Sequence, residues 1–312
     1  MGIESRYIWM DGELVPFAEA KVHVLTHTLH YGVGVFEGIR AYRQEGGGGG
    51  VWKLDEHIRR LTDSAKMLRM DLKLSGPQIA MACLETLKKN EMEEGYVRPI
   101  AYLGAGAMGL GAKNAVRLTI AVWEWGAYMG ESGLANGIRC GTSSFTRNYV
   151  NSSLQRAKVV GAYANSILAR YEANDNGYDE AIMLDTRGFV AEGTGENIFV
   201  VRDGAVTTPP VTNILPGITR ETAIDILAHE GKPVHEEVFG RDALYVAEEI
   251  FMTGTAAEIT PVREVDFRPI GTGSPGPLTR RLQEMYFAAV RGREPRHRKW
   301  LTPVRVPATA NP

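Results

Sequence analysis

Two side chains thirty-four positions apart carry the chemistry this sequence could perform: Lys158, in Arg156-Ala-Lys-Val-Val-Gly-Ala-Tyr163, and Glu192, in Phe189-Val-Ala-Glu-Gly-Thr-Gly-Glu-Asn197. Lys158 stands among Ala157, Val159 and Val160, just ahead of a helical pattern. An ammonium kept from water in such a place is disfavoured in its charged form, so the amine becomes a better nucleophile, as a Schiff base requires. Glu192 follows an apolar run and precedes two glycines. A carboxylate is retained there only opposite a cation or a strong donor, and a protonated pyridine nitrogen is one. Taken singly each residue has an ordinary reading, since most lysines are solvated surface groups.

Four more groups would complete a site. Tyr163 offers a phenol. Leu215-Pro-Gly-Ile218-Thr219-Arg220 opens a helix whose unpaired N–H groups, with Thr219, form an anion-binding terminus, although an ordinary capped helix begins the same way. Thr253-Gly-Thr255-Ala256-Ala257 follows an apolar strand, and the amides of such small residues could form a nest for phosphate or carboxylate oxygens. Arg60, on the polar side of its helix, could add a bidentate fork to the same phosphate; a surface salt bridge is its competing use. An aldehyde for Lys158, an aromatic nitrogen for Glu192, a phenolic oxygen for Tyr163 and a phosphate for the helix terminus together describe pyridoxal 5′-phosphate.

The elements that must hold these groups follow from periodicity. Tyr7 to Val15 reads as a hairpin about Asp11-Gly12. Asp55, as N-cap, starts a helix with Ile58, Leu61, Ala65 and Leu68 on one stripe, and Pro77 opens a second through Lys89, with Ile79, Cys83 and Leu87 inward. The glycine run 46–50 reads as a mobile hairpin loop. Strands are expected at Tyr96–Leu103 and Val116–Trp123. Between them Gly104-Ala-Gly-Ala-Met-Gly109 matches the dinucleotide fingerprint literally, but a β-branched run rather than a helix follows, so it reads as a loop joining strands. His23, His27 and His30 would share a helix face, yet Val22 and Val24 break that period and no acidic or thiol ligand is near; no metal site is expected.

The expected organisation is a small N-terminal α/β domain over 1–127, a linker over 128–136 and a larger domain over 137–312. In the last, helices at 161–174, 219–229, 242–247 and 276–290 mix with strands at 138–145, 180–184, 188–191, 197–201, 233–238, 249–252 and 258–262. Without strict βαβ alternation this is α+β, with a barrel-like second domain. The basic tail 291–305 reads as a solvated end. A 44% hydrophobic and 23% charged composition fits a globular protein with a sizeable core, and a formal charge of −2 gives no pull towards nucleic acid or anionic membrane. Cys83 and Cys140 fall in apolar patterns as buried thiols; with no signal core or long apolar stretch, a cytoplasmic location is expected.

The segments His30-Tyr-Gly with Phe36-Glu-Gly-Ile-Arg, Tyr96-Val-Arg-Pro, Trp125-Gly-Ala-Tyr-Met-Gly, Ala157-Lys158 with Tyr163, Glu192-Gly-Thr-Gly-Glu-Asn-Ile-Phe, Leu215-Pro-Gly-Ile-Thr-Arg and Gly254-Thr-Ala-Ala-Glu-Ile-Thr-Pro-Val occur in the order found in branched-chain amino-acid aminotransferases. The chain resembles that family, the fold-type IV pyridoxal-phosphate enzymes, from about Tyr7 to Arg291. The resemblance implies transamination between leucine, isoleucine or valine and 2-oxoglutarate by a ping-pong mechanism, in the biosynthesis of these amino acids. It implies that Lys158 forms the Schiff base and moves the proton, that Glu192 pairs with the pyridine nitrogen and that Tyr163 bonds the phenolic oxygen. Arg60, the Ile218 and Thr219 amides and Thr255 would take the phosphate, and Leu215 would pack on the ring. The Thr255 and Ala256 amides with Tyr96 would hold the substrate α-carboxylate. Phe36, Trp125, Tyr128, Tyr163 and Tyr31 of a partner chain would line the apolar side-chain pocket, while Arg98, with that Tyr31 and the partner's Leu110 loop, would receive the distal carboxylate of glutamate. A homodimer at least is implied, with a hexamer as a trimer of dimers the alternative. The pentaglycine, the 109–114 loop and the long basic tail depart from the family pattern.

Overall fold

In a computed structural model of the chain, which describes residues 4–306, the contacts divide it into two compact units. The first holds residues 1–125, 157–161 and 288–312, and the second 126–156 and 162–287. A contiguous second domain over 137–312 is therefore not what forms: the stretch carrying Lys158 and the C-terminal stretch both return to the first unit.

The first unit contains β1 (Tyr7–Met10), β2 (Glu13–Pro16), α1 (His27–Tyr31), β3 (Gly34–Phe36), β4 (Ile39–Arg43), β5 (Gly49–Trp52), α2 (Leu54–Met67), α3 (Gly76–Lys89), β6 (Gly95–Leu103) and β7 (Val116–Trp123). β1 and β2 pair antiparallel across Asp11 and Gly12, both at positive φ, as an Asp-Gly turn requires. α2 and α3 bury the expected stripes, Ile58, Leu61 and Ala65 with Ile79, Cys83 and Leu87, into one core with Val35, Ile39, Val97 and Ile120. Ser75 and Gln78 form a capping box on α3, with Pro77 in its first turn. Asp55 is not the N-cap of α2: Lys53 holds that place and Asp55 lies within the first turn, where its charge suits the helix dipole.

Gly49 and Gly50 do not belong to a loop. They pair with Arg43 and Tyr42 of β4 on one side and, on the other, with Val304 and Pro303 of the C-terminal strand Leu301–Val304. A Cβ on Gly49 would lie 2.2 Å from the Glu93 carbonyl oxygen, and one on Gly50 2.7 Å from Gln44 Nε2. Close approach of neighbouring chain explains these glycines; Gly47 and Gly48, at positive φ, make the turn. Gly49→Ala is accordingly expected to cost about 1–3 kcal/mol, read as a lower denaturation midpoint. Gly46→Ala, whose Cβ would meet nothing within 4 Å, is the control expected to leave the midpoint in place.

The basic tail is likewise structured. His297 stacks on Trp300 at 4.9 Å, Trp300 meets Trp52 edge-on at 5.5 Å, Lys53 Nζ lies 4.1 Å over the Trp300 ring, and Val304 is fully buried.

The second unit contains α4 (Gly130–Asn136), β8 (Ile138–Thr142), α5 (Tyr163–Asp175), β9 (Glu180–Leu184), β10 (Val190–Gly193), β11 (Asn197–Arg202), β12 (Ala205–Thr208), α6 (Ile218–His229), β13 (Val234–Glu236), α7 (Asp242–Tyr245), β14 (Glu249–Gly254), β15 (Glu258–Val265) and β16 (Arg268–Pro269); α8 (Pro277–Val290) leads out of it. The expected linker 128–136 is mostly helix α4, tied by Gln283 Nε2 donating to the Leu134 carbonyl at 2.9 Å.

Among the described residues, the first unit's eight-stranded sheet runs antiparallel in the order Leu301–Val304, β5, β4, β6, β7, β1, β2, with β3 beside β6. The second unit's nine-stranded sheet runs β10, β9, β8, β15, β14, β11, β12, β13, with β16 beside β15, and is mixed: β8 lies parallel to β9 and β15, and β12 to β13. The α+β class expected from the sequence is what forms. No helix of the described residues is long and apolar enough to cross a membrane.

Candidate active site

In the first unit the Lys158 stretch is stitched to β3 and α2 through its backbone. Phe36 N donates to the Lys158 carbonyl at 3.1 Å, Lys158 N donates to Ser64 Oγ at 3.1 Å, and Val159 bridges to Val35. Gly161 N donates to the Gly32 carbonyl, and a Cβ on Gly32 would lie 3.1 Å from Gly161 Cα, so the two chains meet at glycines. Lys158 is half-buried, with Nζ 4.9 Å from the centre of the Phe36 ring.

Immediately after Phe36, the fully buried Glu37 accepts from His57 Nδ1 at 2.7 Å and from Arg60 Nε and Nη2 at 2.6 and 2.9 Å. Burial alone would raise the Glu37 carboxyl; the Arg60 charge and the two sets of hydrogen bonds outweigh it and hold it well below the ordinary range. Burial is the main force on His57 and lowers it; Arg60 and Lys158 add to the fall against the pull of Glu37. Arg60's fork, expected on a phosphate or a surface acid, thus grips a buried carboxylate with Nε and Nη2.

Tyr96, Trp123 and Trp125 form a cluster with ring centres 4.7–5.4 Å apart, and the Arg98 guanidinium lies 4.9 Å over Phe36, 5.3 Å over Tyr96 and 5.5 Å over Trp123. Four of the expected substrate residues, Phe36, Tyr96, Arg98 and Trp125, are therefore brought together, with Trp123 as an unforeseen member. A Cβ on Gly38 would sit 1.8 Å from Tyr96 Oη, which only glycine permits. Tyr31 and Leu110 are exposed and linked through His27, whose ring is 4.5 Å from Tyr31 and whose Nε2 is 3.0 Å from the Gly109 carbonyl. His30 Nε2 meets the Val24 carbonyl at 2.9 Å, and Leu25 N donates to His23 Nδ1 at 3.1 Å, so all three histidines serve the main chain. β6 and β7 pair directly across the 104–109 loop, which is no dinucleotide turn.

In the second unit Glu192 lies on β10, 5% exposed. Arg147 Nε and Nη2 reach its Oε1 at 2.7 Å each, Asn197 Nδ2 donates to Oε2 at 3.1 Å and Leu215 N at 3.3 Å. Arg147 Nη1 donates on to Ser166 Oγ at 3.2 Å. The cation that the buried carboxylate demanded is thus supplied by the chain. Nothing local to Arg147 singles it out; its partner lies 45 residues away.

Two residues after Leu215, Gly217 caps α6 in an extended conformation with no side-chain cap, and Ile218 and Thr219, both buried, form its first turn. A Cβ on Gly217 would lie 2.0 Å from Asn197 Oδ1, so Asn197 anchors the Glu192 carboxylate, the Leu215 carbonyl and the entry to the helix at once. Thr255 and Ala256 occupy the turn between β14 and β15; just before it Thr253 Oγ1 is buried without a hydrogen-bond partner. Tyr163 is the first residue of α5, and Arg170 lies 5.9 Å from the Tyr128 ring.

Residues 34–265 match the family model of amino-transferase class IV. The chain is 50% identical over 299 residues to a branched-chain-amino-acid aminotransferase of Pseudomonas aeruginosa, covering 96% of this chain and 97% of that protein. Among solved structures, the branched-chain amino acid aminotransferase of Escherichia coli superimposes with a TM-score of 0.94 at 43% identity, covering 97% of this chain and all of that one. The branched-chain amino acid aminotransferase of Thermobaculum terrenum in its PLP-bound holo-form gives 0.91 at 35% identity, with 98% and 100% coverage.

Proposed function

As the chain belongs to the class IV aminotransferase family, grouping there with the branched-chain amino-acid aminotransferases, we propose that it uses pyridoxal 5′-phosphate to move the amino group of leucine, isoleucine or valine to 2-oxoglutarate in a ping-pong cycle. The observation that carries this reading is Glu192: a carboxylate 5% exposed, held by Arg147, Asn197 and Leu215 N, where Leu215 stands two positions before Gly217 at a helix terminus that no side chain caps.

A carboxylate oriented by a guanidinium and two N–H donors suits a protonated ring nitrogen, and the uncapped α6 terminus suits a phosphate. Thr253 Oγ1, unpartnered beside the Thr255 turn, fits a polar ligand as well. The residues present therefore fit the cofactor. When bound, it supplies an aldehyde for an amine and a ring that withdraws electrons from the substrate Cα.

Lys158 would attach the cofactor through Nζ and then carry the proton to and from the substrate Cα. Glu192 would face the ring nitrogen, Tyr163 would donate to the phenolic oxygen and Leu215 would lie on the ring face. The phosphate would be taken by Arg60, the Ile218 and Thr219 amides and Thr255. Tyr96 with the Thr255 and Ala256 amides would hold the α-carboxylate. Phe36, Trp125, Tyr128 and Tyr163 would supply an apolar side-chain surface, which a leucine fills and beside which Arg98 accepts the distal carboxylate of glutamate. Leu110, 89% exposed, together with Tyr31, Val24 and Leu29 on the same unit's surface, supports a dimer in which each copy lends Tyr31 and the Leu110 loop to the other.

The purified protein is expected to be yellow, to be bleached by borohydride with the label fixed on Lys158, and to transaminate the aliphatic trio with 2-oxoglutarate. A colourless yet active protein, or a substrate panel in which none of the three donors reacts, would overturn the reading.

A further inference from the structure

The loop that joins Glu192 to Asn197 rests on two buried acids which the reaction leaves unused. Glu180 is fully buried and takes every donor available: Arg170 and, on its other oxygen, Ala181 N at 2.7 Å, Thr194 Oγ1 at 2.7 Å and Thr194 N at 3.4 Å. Glu196, 4% exposed, receives Gly195 N at 3.1 Å and is hydrogen-bonded through its carboxyl to Glu180. Two carboxyls thus meet one guanidinium, and a hydrogen bond between them needs a proton on one. Donors crowd Glu180, which leaves that proton on Glu196.

The Glu196 side chain lies between two glycine turns. A Cβ on Gly193 would be 3.0 Å from its Oε2, and one on Gly254 would be 3.4 Å from its Cγ. We propose that Glu196 is a positioning residue held as a neutral carboxylic acid, which donates to Glu180, fixes the turn between Glu192 and Asn197, and backs the Gly254-Thr255-Ala256 turn without adding charge behind it. The last part rests on the proposed anion-binding role of Thr255 and Ala256: a second negative charge there would oppose phosphate and carboxylate alike.

Burial, followed by the Glu180 charge, pushes Glu196 well above the ordinary carboxylate range. The other groups turned towards this cluster leave that state in place. From β8, Cys140 is kept a neutral thiol chiefly by burial and then by the Glu180 charge, with Asp179 adding to the effect; from α5 comes Arg170, itself 5.9 Å from the Tyr128 ring; and Met252 of β14 is uncharged.

Glu196→Gln keeps the donor and cannot ionise. Folded wild type retains a proton that the unfolded chain releases above pH 4.5, so its stability falls as pH rises from there towards the raised value, and the variant escapes that loss. In the holoenzymes the melting temperature of Glu196→Gln minus that of wild type is expected to widen by about 2–4 °C per pH unit as pH rises above the ordinary carboxylate range. A gap that does not change with pH would overturn the protonated state. Wild type alone provides the check should the variant not fold: a protonated carboxyl C=O band persisting in the infrared above the pH at which an ordinary carboxyl ionises is expected, and its absence would sink the assignment. For the positioning role, cofactor release from Glu196→Gln should stay within about threefold of wild type at neutral pH, while Glu196→Ala should speed it about tenfold or more. Equal rates for the two variants would refute that role. Should Thr255→Val leave release unchanged, the anion-binding reading fails, and the proton test still decides the state of Glu196.

Discussion

Lys158→Ala is expected to fold, to take up the cofactor without a borohydride-fixable bond, and to lose turnover by about 10³-fold or more, the range that a positioned proton carrier contributes. Folding should survive because what fixes this stretch is backbone: the Lys158 carbonyl receives Phe36 N, its N–H reaches Ser64 Oγ, and Val159 bridges Val35. None of these needs the side chain. Loss of the ammonium also removes one of the lesser influences that lower His57, whose main cause is burial. In an NMR titration of the apoproteins, the His57 pKa should therefore move up in the variant. Turnover within tenfold of wild type would contradict the assignment of Lys158, and an unmoved His57 would contradict the electrostatic link.

The second large effect is expected at Glu192. Glu192→Gln should lower kcat by about 10²-fold or more, the size of effect that one preorganised electrostatic partner commands in a desolvated site. It should also destabilise the fold by about 1–3 kcal/mol, because Arg147, 11% exposed, loses its counter-charge while keeping one carbonyl oxygen and Ser166 as acceptors. Arg147→Met in the same chain should recover most of the stability and none of the rate, since it removes the stranded charge without restoring the acid. Measured denaturation midpoints and kcat for the two single variants and the double variant check this. Recovery of both quantities together would mean that Glu192 serves only as the partner of Arg147.

Local patterns told well where the partner of a residue lies nearby in the chain. The Asp11-Gly12 hairpin, the capped start of α3 and the stripes of α2 and α3 each rest on residues a few positions apart. Patterns misled where the reason for a residue lies far along the chain. Gly49 and Gly50 look like spacers until Glu93, Gln44 and the Leu301–Val304 strand come up against them. The charged tail looks solvated until Trp300 meets Trp52 and Val304 enters the core. The glycine-interrupted linker resolves as α4 because its turns pack against β15 and Gln283.

The site divides along the same line. Residue types alone determined which chemistry was available: an amine among apolar neighbours at 158, an acid among glycines at 192, a phenol at 163 and a helix opened by Pro216-Gly217, in an order that resembles one family. Only the tertiary structure decided what sustains them. It returned Lys158 to β3, set Arg147 and Asn197 on Glu192, turned Arg60 onto Glu37 and paired Glu180 with Glu196. Such supports cannot be read from the chain because a buried charge may be balanced from any distance in sequence, and the balance depends on which groups folding excludes from water.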